Sequence, residues 1–135
     1  MLSTCDTVYV VDPDESVHDA LSMLLQSAGV RVACFRTPDA FLNAFDARSV
    51  ARSCLLMEAD LAGIGCLTLI REVLARSADL PIIVLASTAD SNIAAQALKA
   101  GAIDVIDKPL FGAHLLDRIL AGAATANPVP SAQGG

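Results

Sequence analysis

The chain has 135 residues, 54% of them apolar but only 4% aromatic, with no Trp and a net charge of −6. A chain this long forms one domain and buries about 68% of its unfolded surface, so an aliphatic core can hold it without disulfide or metal staples. An acidic balance with no run of Lys or Arg argues against nucleic-acid binding by this segment, and no apolar stretch reaches the roughly 20 residues of a membrane span.

Thr7 to Asp12 is predicted as a first strand, apolar from Val8 to Val11. Glu15 to Ala28 follows as a helix with Val17, Leu21, Leu24, Leu25 and Ala28 on one face, and Gly29 stops it. Val30 to Phe35 is the second strand. Thr37 and Pro38 are the N-cap and first-turn proline of a second helix, which runs to about Phe45 with Phe41, Leu42 and Phe45 on one face. Ser53 to Met57 is the third strand. The loop Ala62-Gly63-Ile64-Gly65 leads into a third helix ending near Ala78, and its glycines serve a turn, since they follow no dinucleotide-binding spacing. Pro81 opens a fourth strand that runs to Ala86. Asp90 or Ser91 caps a fourth helix, rich in Ala94, Ala95, Ala97 and Ala100 as good helix formers, and Gly101 ends it. Ile103 to Ile106 is the fifth strand and Phe111 to Ala121 the fifth helix. Repeated β-α units imply right-handed crossovers, a parallel sheet and helices on both faces. Residues 1–122 are expected to form the domain. Residues 123–135, small and carrying Pro128 and Pro130, read as a disordered tail or a linker toward an output domain.

Cys5, Cys34, Cys54 and Cys66 show no metal-ligand or C-x-x-C spacing and read as free, buried thiols. His18 and His114 fall within helices and are expected to face solvent. The N-terminus lacks the basic and long apolar regions of a signal peptide, so a cytoplasmic protein is expected.

Three apolar runs stop at polar clusters: Val8 to Val11 at Asp12, Leu55-Leu56-Met57 at Glu58, and Val105-Ile106-Asp107 at Lys108-Pro109. In an open α/β sheet the ligand crevice lies beyond the carboxyl ends of the strands, which puts Asp12, Glu58 and Lys108 in one crevice. That constellation resembles the receiver domain of bacterial two-component response regulators. So do Val10-Val11-Asp12-Pro13-Asp14-Glu15-Ser16, Leu85-Ala86-Ser87-Thr88-Ala89-Asp90, and Ala97-Leu98-Lys99-Ala100-Gly101-Ala102 leading to Asp107-Lys108-Pro109. The wording is similar to FixJ-type receivers from about Thr7 to Leu120. The resemblance implies an α/β, flavodoxin-like (βα)5 fold with a parallel five-stranded sheet in the order 2-1-3-4-5. It also implies a cis Lys108–Pro109 peptide. Finally, it implies a dimer or partner surface on the fourth helix, fifth strand and fifth helix, carrying Ala94 or Ala95, Lys99, Val105, Leu110, Phe111 and His114.

Several positions depart from the family's pattern. The phosphate-accepting Asp maps to Glu58, one methylene longer. The acidic residue that ligates Mg²⁺ directly maps to Pro13, which has no carboxylate, so Mg²⁺ binding is expected to be weak or absent, through Asp12 and Glu58 at best. The hydroxyl residue that grips the phosphoryl group maps to Ala86, and the aromatic switch residue to Val105. The proline usual after the acceptor maps to Ala62. Only Asp12 and Lys108 match. Phosphoryl transfer depends on placement, and a misplacement of about 1 Å can cost about a hundredfold. The expected function is an atypical, non-enzymatic receiver without a cofactor. It would act in signalling or transcriptional regulation by binding a protein partner (kinase, output domain or regulator) or a second copy. Lys108 would then neutralise the two carboxylates. The alternatives are a receiver that accepts a phosphoryl group from a histidine kinase, and a pseudo-receiver that binds a small molecule in the crevice.

Overall fold

The alternation of short apolar runs and amphipathic segments is realised as ten elements in the computed structural model, which describes residues 6–46, 52–61, 65–77, 79–87, 91–108 and 112–125. They are β1 (Thr7–Val11), α1 (Glu15–Ser27), β2 (Arg31–Phe35), α2 (Pro38–Ala44), β3 (Ser53–Glu58), α3 (Gly65–Arg76), β4 (Ile82–Ser87), α4 (Ser91–Ala100), β5 (Asp104–Lys108) and α5 (Gly112–Thr125). The strands pair in parallel in the order β2-β1-β3-β4-β5, the order the resemblance implies for a flavodoxin-like fold.

Side-chain alternation along each strand splits the core into two layers. Val8, Val10, Cys54, Leu56, Ile83 and Leu85 point to one face, where Leu21 and Leu25 of α1 and Leu115 and Ile119 of α5 cover them. On the other face Val11, Leu55, Met57, Ile82 and Val84 meet Phe41 of α2, Leu69, Ile70 and Val73 of α3, and Ala97 of α4. Every residue of β3 is buried, as suits the central strand of a sheet covered on both sides. Among the described residues the aromatics gather at one place: Phe41 sits edge-on to Tyr9 and Phe35 and stacks at a tilt on Phe45.

Boundaries differ from expectation for local reasons. Asp14 caps α1, its carboxylate accepting from the Ser16 amide (2.9 Å) and hydroxyl (2.7 Å). The expected Thr37 cap of α2 is present, accepting from the Ala40 amide at 3.1 Å. β4 begins at Ile82 because Pro81 has no N–H to give, although the Pro81 carbonyl still accepts from the Leu55 amide at 2.9 Å. α5 runs on to Thr125, four residues beyond its expected end and into the segment read as tail; Ala121, Ala123 and Ala124 favour helix. The remainder of that segment lies outside the described residues.

Two residue readings are corrected. His18 is partly buried, not solvent-facing. It precedes Leu21 and Leu25 at i, i+3, i+7 spacing, on the helix stripe that meets the sheet, and its Nε2 is enclosed without a hydrogen-bond partner. Cys34 is exposed on β2, whereas Cys54 and Cys66 are buried free thiols as expected.

Candidate functional site

β1 and β3 are neighbours with Val11 opposite Met57, so the residues that follow, Asp12 and Glu58, stand side by side at the carboxyl edge of the sheet. Both are buried, Asp12 at 1% and Glu58 at 9% exposure. Each carboxylate accepts the backbone amide two residues on: Asp12 Oδ1 from Asp14 at 2.8 Å, and Glu58 Oε2 from Asp60 at 2.8 Å. The two acids therefore fasten the β1–α1 and β3–α3 loops in the same way. Backbone bonds continue the seam, with the Asp12 amide donating to Phe35 (3.0 Å) and the Ala59 amide to Leu85 (2.9 Å). Pro13 is exposed between the two acids of the first loop and brings no donor atom.

Glu58 pairs with Leu85, and the next residue of β4, Ala86, is 1% exposed. A methyl group thus stands at the position to which the resemblance assigns a hydroxyl. Val105 is half-buried on β5 opposite Val84 and packs against the layer beneath α2–α4. Lys108 ends β5 opposite Ser87, which brings its backbone to the same sheet edge. The Lys108 and His114 side chains, with Pro109, Leu110, Phe111 and Ala62, lie outside the described residues.

The field of the crevice reaches one neighbour that sequence reasoning left aside. Cys66, in the first turn of α3, is 3% exposed, with its Sγ 3.7 Å from Met57 Sδ. Burial, and then the Glu58 charge, push its thiol up to about 11. Its position straight after the Gly63–Gly65 loop was the available signal.

The resemblance implies a Mg²⁺ ion, and the residues present do not fit one held tightly. Magnesium demands octahedral oxygen coordination. The position to which the resemblance assigns the direct ligand holds Pro13, which offers no carboxylate, and Asp12 and Glu58 each commit an oxygen to a loop amide. Among the described residues no group of three or more His, Cys, Asp or Glu gathers as a metal site.

The expected partner surface is brought together only in part. Ala95 and Lys99 are exposed on α4. Lys99, however, lines a groove with Leu67 and Arg71 of α3 and Gln96 and Ala100 of α4. Leu98 and Ile103, 49% and 41% exposed, add apolar surface that the pattern did not single out. Arg118, also missed, clamps α5 to β5: its Nε and Nη2 donate to Asp104 at 3.0 and 2.6 Å, and Nη2 also to the Val105 carbonyl at 2.9 Å.

The sheet order and the paired acids at its carboxyl edge define a receiver-type α/β domain, and the comparisons with known proteins agree. Residues 8–120 match the response regulator receiver domain, and the chain belongs to that family. It is 38% identical to the response regulator protein TmoT of Ectopseudomonas mendocina over 112 residues, covering 83% of this chain and 50% of TmoT. It is 29% identical to the transcriptional regulatory protein FixJ of Bradyrhizobium diazoefficiens over 132 residues, 98% of this chain and 63% of FixJ. Among solved structures it is similar to full-length FixJ from B. japonicum, with a TM-score of 0.82 and 29% identity over 91% of this chain and 60% of that one. It is also similar to the response regulator StyR, with a TM-score of 0.82 and 32% identity over 96% of this chain and 65% of that one. The chain thus spans about half to two-thirds of the relatives it matches. It is a receiver domain of two-component signal transduction. Among the described residues no helix is long and apolar enough to cross a membrane.

Proposed function

We propose that this receiver acts independently of aspartyl phosphorylation, as a protein-interaction module in signalling or transcriptional regulation. One observation carries the reading: the two crevice carboxylates serve as loop fasteners, while Pro13, Ala86 and Val105, three of the positions around them that would run phosphoryl transfer, are apolar. Asp12 and Glu58 hold the Asp14 and Asp60 amides. Pro13 supplies no metal ligand, and Ala86 no hydroxyl. Val105, packed against the core, has no ring to swing between an inner and an outer position. Coupling between sites needs an element with two arrangements that each ligand state biases differently, and these substitutions remove it. The crevice residues Asp12, Pro13, Glu58, Ala86, Val105 and Lys108 then form a degenerate phosphorylation site.

Output passes through the surface of α4, β5 and α5, to a kinase, an output domain, a regulator or a second copy. The relatives TmoT and FixJ are named as a response regulator and a transcriptional regulatory protein, and both are longer than this chain. A DNA-binding output in the whole protein follows from that likeness and belongs to this proposal.

The test is to incubate the protein with acetyl phosphate and Mg²⁺ and weigh it by intact mass spectrometry. No phosphate adduct is expected on the wild type or on Glu58→Asp alone. Restoring the set with Pro13→Asp, Glu58→Asp and Ala86→Thr together is expected to allow one. A wild-type adduct that vanishes in Glu58→Gln overturns the reading in favour of a phosphorylatable receiver.

A further inference from the structure

We propose that the groove between α3 and α4 is a second protein-docking site, taking an acidic amphipathic helix of a partner. The groove has a volume of about 400 Å³ and is lined by Leu67 and Arg71 of α3 and by Gln96, Lys99 and Ala100 of α4. Its lining thus combines two cationic residues, Arg71 and Lys99, with the apolar Leu67 and Ala100.

Charge is what selects the occupant. The chain carries a net charge of −6. Of its seven described Lys and Arg side chains, four are used internally, Arg36 with Glu15, Arg52 with Asp6, Arg76 with Glu72 and Arg118 with Asp104, and Arg31 stands apart on β2. Arg71 and Lys99 pair with nothing among the described residues. Neither has an acid at helical spacing on its own element: Arg71 has Leu67 and Ala75 one turn away, and Lys99 has Ala95. The position of Lys99 in the last turn of α4 suits the helix dipole and could account for that residue alone. No such account covers Arg71, which sits mid-helix in α3. Two unpaired cations converging on one groove of an acidic protein form a complement to an acidic partner.

The groove is open, and Arg71, Gln96 and Lys99 are all exposed. A small free anion there would stay hydrated and gain little from exposed cations. An amphipathic helix gains from both parts of the groove, laying an apolar side chain on Leu67 and Ala100 while flanking carboxylates meet Arg71 and Lys99. This site shares α4 with the surface of α4, β5 and α5 but lies on the α3 side of that helix, and it does not depend on whether residue 58 is phosphorylated.

The probe is a capped peptide of about 15 residues, built of Ala, Leu and Glu so that a Leu stripe is flanked by Glu at i, i+4 spacing. It is titrated into the full ¹⁵N-labelled chain and followed by amide chemical shifts. Shifts are expected to centre on Leu67, Arg71, Gln96, Lys99 and Ala100. Arg71→Glu and Lys99→Glu are each expected to weaken binding about fivefold with the thermal midpoint unchanged, and the pair together to abolish it. Binding should also fall as salt rises from about 50 to about 500 mM, and Glu58→Ala should leave it unaltered. The proposal is overturned if no shifts appear in the groove, if a peptide with Gln for Glu binds equally well, or if the charge reversals are without effect. Citrate reproducing the same shifts at the same affinity would mark a small-anion site and overturn it as well.

Discussion

Alkaline pH is expected to destabilise this domain through a single thiol, Cys66. The residue is 3% exposed, and burial, followed by the Glu58 charge, lifts the thiol from its ordinary value of 9.0 to about 11. In the unfolded chain the same thiol ionises near its ordinary value, so the unfolded state loses the proton first as pH rises. The folded pKa is the raised one. The stability it contributes is therefore fully present below about pH 9 and is lost as pH climbs toward 11. Two pH units at 1.36 kcal/mol each set the loss at about 2 to 3 kcal/mol. Urea unfolding of wild type and Cys66→Ala at about pH 8 and about pH 11 isolates the contribution, because the other alkaline titrations are common to both proteins. The stability gap between the two should shrink by about 2 kcal/mol over that range. Glu58→Gln should lower the thiol pKa, read directly from thiolate absorbance. A gap that does not change with pH, or a thiol that titrates at its ordinary value in the folded protein, refutes the placement of Cys66 beside the crevice.

Two further expectations concern the scaffold of the output side. Gly101, between α4 and β5, has φ of +126°, and a Cβ there would run into the Leu74 side chain. Gly101→Ala is expected to cost about 2 kcal/mol in urea denaturation, within the range for strained backbone. Arg118→Ala removes the bidentate contact to Asp104; with both side chains partly exposed it should cost about 1 kcal/mol, less at high salt, and Arg118→Lys should not restore it fully.

The fold was legible in the sequence because the central strands are short, near-continuous aliphatic runs, as strands covered on both faces are, and α1 and α4 have clear stops at Gly29 and Gly101. The ends were less legible where propensity and topology compete: the Ala-rich end of α5 prolongs the helix beyond Gly122, and Pro81 shifts the start of β4. The sheet order came from the resemblance, since periodicity says nothing about which strands adjoin. At the crevice, the positions of Asp12 and Glu58 followed from where the apolar runs stop, but their amide bonds did not, because those depend on how each loop folds back. The place of Lys99 in the groove with α3 was hidden for a similar reason. A sequence gives the angle of a residue around its helix axis, not which neighbour that angle meets. The His18 reading failed because a polar residue type was weighed above its i, i+3, i+7 spacing with Leu21 and Leu25.

The sign of one stability change bears on why Glu58 is acidic at all. Two carboxylates on adjacent strand ends, 1% and 9% exposed, are costly to bury unless hydrogen bonds or opposite charges compensate them. Acids retained for chemistry at such a place weigh against the fold, and removing one commonly raises stability. Acids retained as loop fasteners behave in the opposite way. Glu58→Ala deletes the acceptor of the Asp60 amide, a bond to a charged group worth about 1.5 to 3 kcal/mol, while release of a buried charge returns part of that. A net loss of about 1 kcal/mol is expected. Glu58→Asp should lose less, because an Asp at the end of β1 already holds the amide two residues on in the same way. Chemical denaturation near neutral pH measures both variants. If Glu58→Ala makes the domain more stable, the carboxylate is held there against the fold's interest. The crevice would then have to be read as a working acidic site, and the structural account of Glu58 abandoned.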